Sequence, residues 1–589
     1  MATINSSREV DRQIYERIVA LNDNWVDTLV TRQVQDPESR HYGGIKGEQT
    51  GVPSPTHGGT AGNIATFAAA LVNPDSRYYH HPALLQVLEL AVQYMLNRQH
   101  PDGTISLGST NYNSPPDTGF VVVGLAQVYH VLKGHSWSYV QPAALNVKHF
   151  LERAVPAMLT GGCHTPNHRW VMSAALGQLF QIFGLAGLVA RADEWLAEGI
   201  DCTADGEWSE RSNGIYNTVS DVMLYYTAKT LDRPELLDHV RRNLHMMMYL
   251  IHPNGEAVTD YSGRQDFGQT VALAEYFVVS RLMAAHDRDP QLASMSDLAG
   301  ATMARMGPVN NHAMLGYLMF PQIQLQDLHR QPLPEQYVKI INRNHPYQAD
   351  LLKMQQVGHH SQLQHSAVHT SFGAPIVRCR SGRTSATIMT KAASFFALRH
   401  GEANFKGVQL VTSFMPGVVE METLDQRDGG YRLTSSMEKG YNGPIPAELL
   451  PDSARKPVSP WYLLPHQHRP LTHVQQFSMK AHIMPTEAGW RIRIVSDDRE
   501  DVYAQLLFSF ARNGQITGPG VEPLGEGTAF WRHGSVRFAA GSDWIELDGG
   551  GQDHIIRTMR GAQAPIDSHT LLVNLLTPFE HTFELRLSR

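Results

Sequence analysis

The residues best placed to do chemistry are in Thr165-Pro-Asn-His-Arg-Trp170, directly in front of the longest uncharged run of the chain. From Trp170 to Ala190 there is no Asp, Glu, Lys or Arg, so a helix here is expected to be buried nearly all round. Asn167 and His168 then fall at its opening turn, where free backbone N–H groups and the positive end of the helix dipole favour an anion. An amide and an imidazole at such a place can seat a carboxylate with neutral donors. The simpler reading is a helix cap and a satisfied core histidine. A membrane span, which needs a run of this length, is disfavoured by Gln178 and Gln181 within it and by the lack of flanking basic clusters.

Other polar groups stand at or near helix starts. Tyr216 follows the loop residues Ser212-Asn-Gly. Its phenol, with an ordinary pKa near ~10, needs a neighbouring cation to act as a base at neutral pH, and Arg211 or Arg264 is the candidate. Tyr261, Arg264, Gln265 and Asp266 form a polar cluster after a turn; Arg264 either clamps a ligand carboxylate in two-pronged fashion or pairs with Asp266. Asn111 and Tyr112 could floor a ligand subsite, while Asp117 reads as the cap of the helix that follows. The Gly- and Pro-rich loop from His41 to Gly59 suits close approach of backbone to a ligand and places His57 and His41 on a rim. His400, in Phe395-Phe-Ala-Leu-Arg-His-Gly-Glu-Ala-Asn404, follows a strand-like run.

These groups are carried by two kinds of element. Apolar positions at helical spacing predict helices over 8–34, 61–73, 83–98, 118–133, 141–158, 170–198, 215–231, 234–250, 268–286 and 291–306, joined by turn-rich segments. Paired helices without an intervening strand or a strict repeat indicate an (α/α) toroid, incomplete or closed, rather than a regular solenoid. Beyond a polar stretch the period changes to two. Strands are expected at 374–380, 385–389, 407–412, 490–495, 503–508 and 583–587, the pattern of an antiparallel β-sandwich. The expected layout is a toroid domain at 1–330, a linker at 331–360 and a β-sandwich domain at 361–589.

A chain of 589 residues exceeds one ordinary core, and 42% apolar with 18% charged content describes a globular protein. The net charge of −7 argues against non-specific nucleic-acid binding, so a polyanionic partner must be met by a local patch. Thirty His residues can supply donors without raising that charge. Cys163, Cys202 and Cys379 imply no disulfide framework. The first residues read as an amphipathic helix without a signal-peptide core. The chain as given is therefore expected in the cytoplasm, or in the periplasm or outside if a leader has been removed.

The order helical toroid then β-sandwich, with Asn167-His168 at a helix start, Tyr216 downstream and His400 early in the β-domain, resembles the heparinase II/III-like and alginate-lyase-like polysaccharide lyases over the whole chain. The resemblance implies a uronic-acid-containing glycan as substrate and β-elimination as reaction. Asn167 and His168 would engage the uronate carboxylate, Tyr216 would act as acid or base, and His400 would complete the cleft. Arg211, Arg264, Tyr261, Asn111, Tyr112 and His57 would bind substrate. Removing the proton beside a carboxylate is feasible only if the developing charge is stabilised, and losing one neutral donor typically costs ~10²–10³ in rate. No cofactor is required. Some members carry a structural zinc, and His359, His360, His365 and His369 cluster in sequence without a recognised ligand spacing. The expected partner is an acidic oligo- or polysaccharide, with no nucleic acid or membrane; a homo-oligomer is compatible. Two other readings stand beside this one: a glycoside hydrolase using two of Asp117, Glu207, Glu210 and Asp221, and a glycan-binding protein without catalysis.

Overall fold

A computed structural model describes residues 2–303, 309–357, 369–450, 461–565 and 567–588. The chain divides into two compact units: Met1–Gly373 with Arg378–Gly382, and Ala374–Val377 with Arg383–Arg589.

The first unit is helical. In chain order its helices are α1 (Ala2–Val30), α2 (Thr60–Val72), α3 (Pro82–Arg98), α4 (Pro115–Lys133), α5 (Gln141–Thr160), α6 (Pro166–Phe183), α7 (Ala186–Leu196), α8 (Tyr216–Thr230), α9 (Leu237–Met247), α10 (Phe277–Asp287), α11 (Pro290–Ala301), α12 (Ala313–Met319) and α13 (Tyr347–Val357). The even-numbered helices α2 to α12 touch one another in succession, and α12 returns to α2 and α4, so six inner helices close a ring. Sequence explains the division. The interiors of α2, α4 and α10 are almost free of charge and buried on every side, whereas α9 concentrates its charges on one face. The closing helix α12 and the short turn Val309–Asn311 before it were not anticipated. That turn crosses α4 where Gly124 leaves room: a Cβ there would stand 2.2 Å from Val309 Cγ1.

The expected single helix over 170–198 is instead two. The chain turns at Gly184, which takes a left-handed conformation (φ 68°) that glycine adopts without penalty. Burial ends at Leu179, and Gly184 to Gly187 are exposed. Only the first half of the uncharged run is therefore an inner helix. No helix of the described residues is long and apolar enough to cross a membrane.

The expected linker, 331–360, contains the strand Gln336–Ile341 and α13 and clusters with the helical unit. The reason is a buried carboxylate. Glu207 accepts hydrogen bonds from the Asn342 amide and the Gly373 N–H, both at 2.9 Å, so Asn342 and Gly373 are tied to the helical unit.

The second unit is a sandwich of two sheets. One runs Thr384–Met389, Phe396–His400, Ala403–Thr412, Tyr503–Ala511, Ser568–Leu576, Thr528–Trp531, Val521–Gly525; the other runs Gln515–Thr517, Ser535–Ala540, Asp543–Asp548, Glu580–Leu587, Gly489–Ser496, Leu471–Thr486, Gly430–Asn442, Thr423–Arg427. Pairing is antiparallel except between Thr528–Trp531 and Ser568–Leu576. Aromatic rings from the two sheets meet in the core, Phe508 with Phe583 at 4.8 Å and Phe510 with Phe538 at 4.9 Å.

Candidate active site

A cavity of about 960 Å³ opens within the helical unit, lined by His57, Asn111, His168, Tyr216 and Arg264 among others. Each of these comes from a different loop or helix start, so the ring brings together groups that are far apart in sequence.

Tyr216 is the first residue of α8, and its N–H donates to the Ser212 hydroxyl at 3.2 Å. The loop ahead of it is fixed by the fully buried Asp266, which accepts from Ser212 Oγ (2.9 Å), the Gly214 N–H (3.0 Å) and Ser262 Oγ. One carboxylate therefore sets both the Tyr216 loop and the turn that carries Arg264. Of the two alternatives for Arg264, pairing with Asp266 is not realised. Its guanidinium instead donates to Glu210 Oε1 (2.8 Å) and to the Tyr216 phenol oxygen (3.1 Å), lying 4.2 Å from that ring's centre. Gln265 donates to the same phenol oxygen at 2.7 Å.

Behind this pair, Glu210 Oε2 accepts from the Asn167 amide at 2.7 Å. Burial pushes the Glu210 carboxyl up to about 7, against the opposing pull of Arg264 and Asn167. The Tyr216 phenol also lies above its ordinary value: burial dominates, Arg264 and Gln265 pull it down, and Glu210 adds to the rise. The cation expected beside the phenol is Arg264, but its charge is shared with a carboxylate and the phenol stays protonated at neutral pH.

Asn167 and His168 occupy the opening turn of α6, behind Thr165 and Pro166. Of the two, His168 lines the cavity. Asn167 is buried, its amide N–H committed to Glu210 and Thr165, and its Oδ1 has no partner among the described residues. Burial lowers the His168 imidazole to about 3, with His164, Arg264 and His57 adding to the fall, so it is a neutral group at physiological pH. His57, its pKa lowered chiefly by burial, stacks on Phe120 at 4.6 Å.

The remaining residues read from sequence fall elsewhere. Arg211 is fully buried in an ion pair with Glu207 (3.2 Å) and lies over Tyr261, itself buried and accepting from Asn213; neither lines the cavity. Tyr112 is exposed outside the cavity. His41 also lies off it. His400 belongs to the second unit, its ring nitrogens at 2.8 Å from Thr384 Oγ1 and 2.9 Å from Ser588 Oγ. Asp117 is not the cap of α4. Ser114 is, accepting from the Asp117 N–H, while Asp117 receives the Asn111 amide at 2.9 Å. Of the carboxylates open to a hydrolase reading, Glu207 and Asp221 are wholly buried, Asp221 receiving the Trp208 indole N–H.

Among the lining residues that were missed are Asn63, His164, Glu275 and Asn311. Asn63 carried a signal, as the only Asn in the otherwise small and apolar α2. Among the described residues no group of three or more His, Cys, Asp or Glu side chains could hold a metal. His359, His360 and His365 lie outside the described residues, and His369 has no such companions among those described, so the residues described do not fit a zinc site.

No family model and no curated protein matches the sequence. Solved structures do match. The chain is similar to heparinase III, with TM-score 0.51 and 11% identity over 89% of this chain and 75% of that one. It is also similar to a Paenibacillus xanthan lyase, with TM-score 0.50 and 9% identity over 97% of this chain but only 57% of the longer lyase. Likeness at such identities establishes fold. The helical ring followed by a β-sandwich is thus a fold that this chain shares with these two solved structures.

Proposed function

We propose that this protein is a polysaccharide lyase that cleaves a uronic-acid-containing glycan by β-elimination. The observation that carries the reading is the Tyr216 phenol oxygen, which accepts hydrogen bonds from Arg264 and Gln265 at the wall of a large cavity shared with the neutral His168. With both of those bonds accepted, the phenol's own proton is free to be aimed at a substrate oxygen.

The uronate carboxylate is held by neutral donors, His168 and the Asn63 amide, which makes no hydrogen bond among the described residues. Charge that develops on the carboxylate as the C5 proton leaves is stabilised there without a desolvated counter-ion. Once its own proton has been lost to solvent, Tyr216 as phenolate takes the C5 proton, the electron pair forms the C4–C5 double bond, the C4–O4 bond breaks, and the phenol so formed gives that proton to O4. Glu210 governs how easily the phenolate forms: when it is neutral, the Arg264 charge faces the phenol alone. Asn167 acts through Glu210, as a positioning residue rather than a donor to substrate.

The test is Tyr216→Phe on a panel of uronate polymers, read by the ultraviolet band of an unsaturated uronate. The wild-type chain should generate that band from an unmodified polymer and the variant should lose it. A variant with undiminished rate would remove Tyr216 from the mechanism. Shortened products without the band would indicate hydrolysis.

A further inference from the structure

The second unit has a cavity of its own, about 500 Å³, on the outer face of one sheet, lined by Arg427, Arg432, His482, Arg491, Arg493 and others. Side chains alternate across a sheet. Trp490, Ile492 and Ile494 therefore enter the core while Arg491 and Arg493 stand outside. The register then aligns the basic groups. Arg493 pairs directly with His482, and His482 directly with Arg432, on three neighbouring strands.

His482 thus stands between two guanidinium groups on the neighbouring strands. Their charge is partly met within the chain. Arg432 reaches Asp425 at 2.7 Å in a part-buried pair, while Arg493 reaches Glu580 at 2.9 Å and Arg491 reaches Glu584 at 2.5 Å, exposed pairs of the kind that contribute little and exchange readily. Arg427 makes no ion pair among the described residues, and a buried Arg432 Nε has no partner. His482 is held below its ordinary pKa, first by burial and then by Arg493, Arg432 and Lys480. Among the lining residues four arginines stand against two carboxylates, Asp428 and Glu584, so in a chain of net charge −7 this concave face is locally cationic.

We infer that this outer face is a second binding site for an acidic polysaccharide, which lays carboxylate or sulfate groups across Arg432, His482 and Arg493. Guanidinium forks suit such groups, and bound oxyanions would replace the weak surface pairs with charge-assisted hydrogen bonds. The site would hold the polymer on the enzyme between cleavages. Only the identity of the ligand rests on the proposed function; the row of cations does not.

The experiment is gel retardation of the full chain carrying Tyr216→Phe, to prevent cutting, in gels containing alginate, heparin or neutral dextran. It is repeated with Arg432→Gln/Arg493→Gln, and separately with Arg427→Gln in case the pair unfolds the sheet. Retardation by alginate or heparin but not dextran is expected, weakened ~10-fold in the double variant and measurably in the single one. With Tyr216 intact, the double variant should still turn over a short oligosaccharide at the wild-type rate. Unchanged retardation in the folded variants, equal retardation by dextran, or retardation by no polymer would overturn the inference. Retardation that depends on these arginines, with no unsaturated product from any polymer, would leave the second site standing and sink the lyase reading.

Discussion

Glu210→Gln separates the proposed mechanism from a merely structural reading of the Tyr216 cluster. In the wild-type chain Glu210 takes one guanidinium nitrogen of Arg264 at 2.8 Å while another donates to the phenol oxygen at 3.1 Å. The carboxylate therefore sits one guanidinium away from the phenol. Two unit charges ~6 Å apart interact by ~3 kcal/mol at an effective dielectric of 20, equivalent to ~2 pKa units. Tyr216 is only half-buried, and solvent screening reduces this to about one unit. The substitution is accommodated: Asn167 Oδ1 is buried without a partner, so a flipped Asn167 amide can accept from the amide nitrogen of the introduced glutamine, whose oxygen still accepts from Arg264. The expected result is a Tyr216 phenol that titrates about one unit lower. The assay is the tyrosinate ultraviolet difference spectrum against pH, with the Tyr216→Phe curve subtracted to remove the other tyrosines. The alkaline rise of kcat/KM on a uronate polymer should move by the same amount. A phenol that does not move, or moves upward, would refute the argument that Glu210 opposes Arg264 at this oxygen.

The sequence made the site legible where chemistry coincided with a helix start. Asn167, His168 and Tyr216 each stand in a first turn because a Pro or a Ser-Asn-Gly loop ends the preceding segment, and such signals are local. Six strands between 374 and 587 were legible for the same reason, since alternation is written residue by residue, whereas the long strands Gly430–Asn442 and Leu471–Thr486 were not named. What was not legible depends on distant partners. Nothing near Glu210 in sequence says that Arg264 and Asn167 will converge on it, and so a carboxylate readable only as a hydrolase candidate turns out to be the partner of the Tyr216 cation. His400 shows the converse: a histidine beside a glycine at a strand end looks available for chemistry, yet Thr384 and Ser588 take up its ring from the neighbouring strand and the last residues of the chain. The 331–360 stretch read as a linker because polar residues and prolines dominate it, whereas it is attached through partners about ninety or more residues upstream, Glu207 and Asp205 to Asn342 and the Tyr249 carbonyl to Tyr337.

Three further outcomes are expected. Because Glu210 binds its proton more tightly when folded (about 7 against an ordinary 4.5), its burial costs nothing below pH 4.5 and destabilises progressively as pH rises through 7, by ~3 kcal/mol; chemical denaturation at pH 5 and pH 8 should show Glu210→Gln losing less stability over that interval than the wild type, and parallel losses would contradict it. His168, held neutral with a folded value of about 3 against an ordinary 6.5, should contribute no limb near 6.5 to the pH–rate profile, and His168→Gln should lower kcat ~10²–10³-fold with secondary structure by circular dichroism intact; a rise in KM with kcat unchanged would make it a binding residue only. The last outcome tests the closure of the ring. Gly124 lies where α4 meets the turn at Val309, and a methyl group there would overlap Val309 Cγ1 at 2.2 Å and Cγ2 at 2.4 Å. Val309 is fully buried and cannot swing into solvent, so Gly124→Ala gains a little helix propensity but must push the turn off α4, an overpacking cost of ~1–3 kcal/mol. Asn311, two residues on, donates to the cavity-lining Glu275 at 3.0 Å, so the displacement is transmitted to the cavity wall. Gly124→Ala should therefore lower Tm and raise KM together, and the double variant Gly124→Ala/Val309→Ala should recover both. Failure of the second substitution to rescue the first would mean that Val309–Asn311 does not close the inner ring at α4.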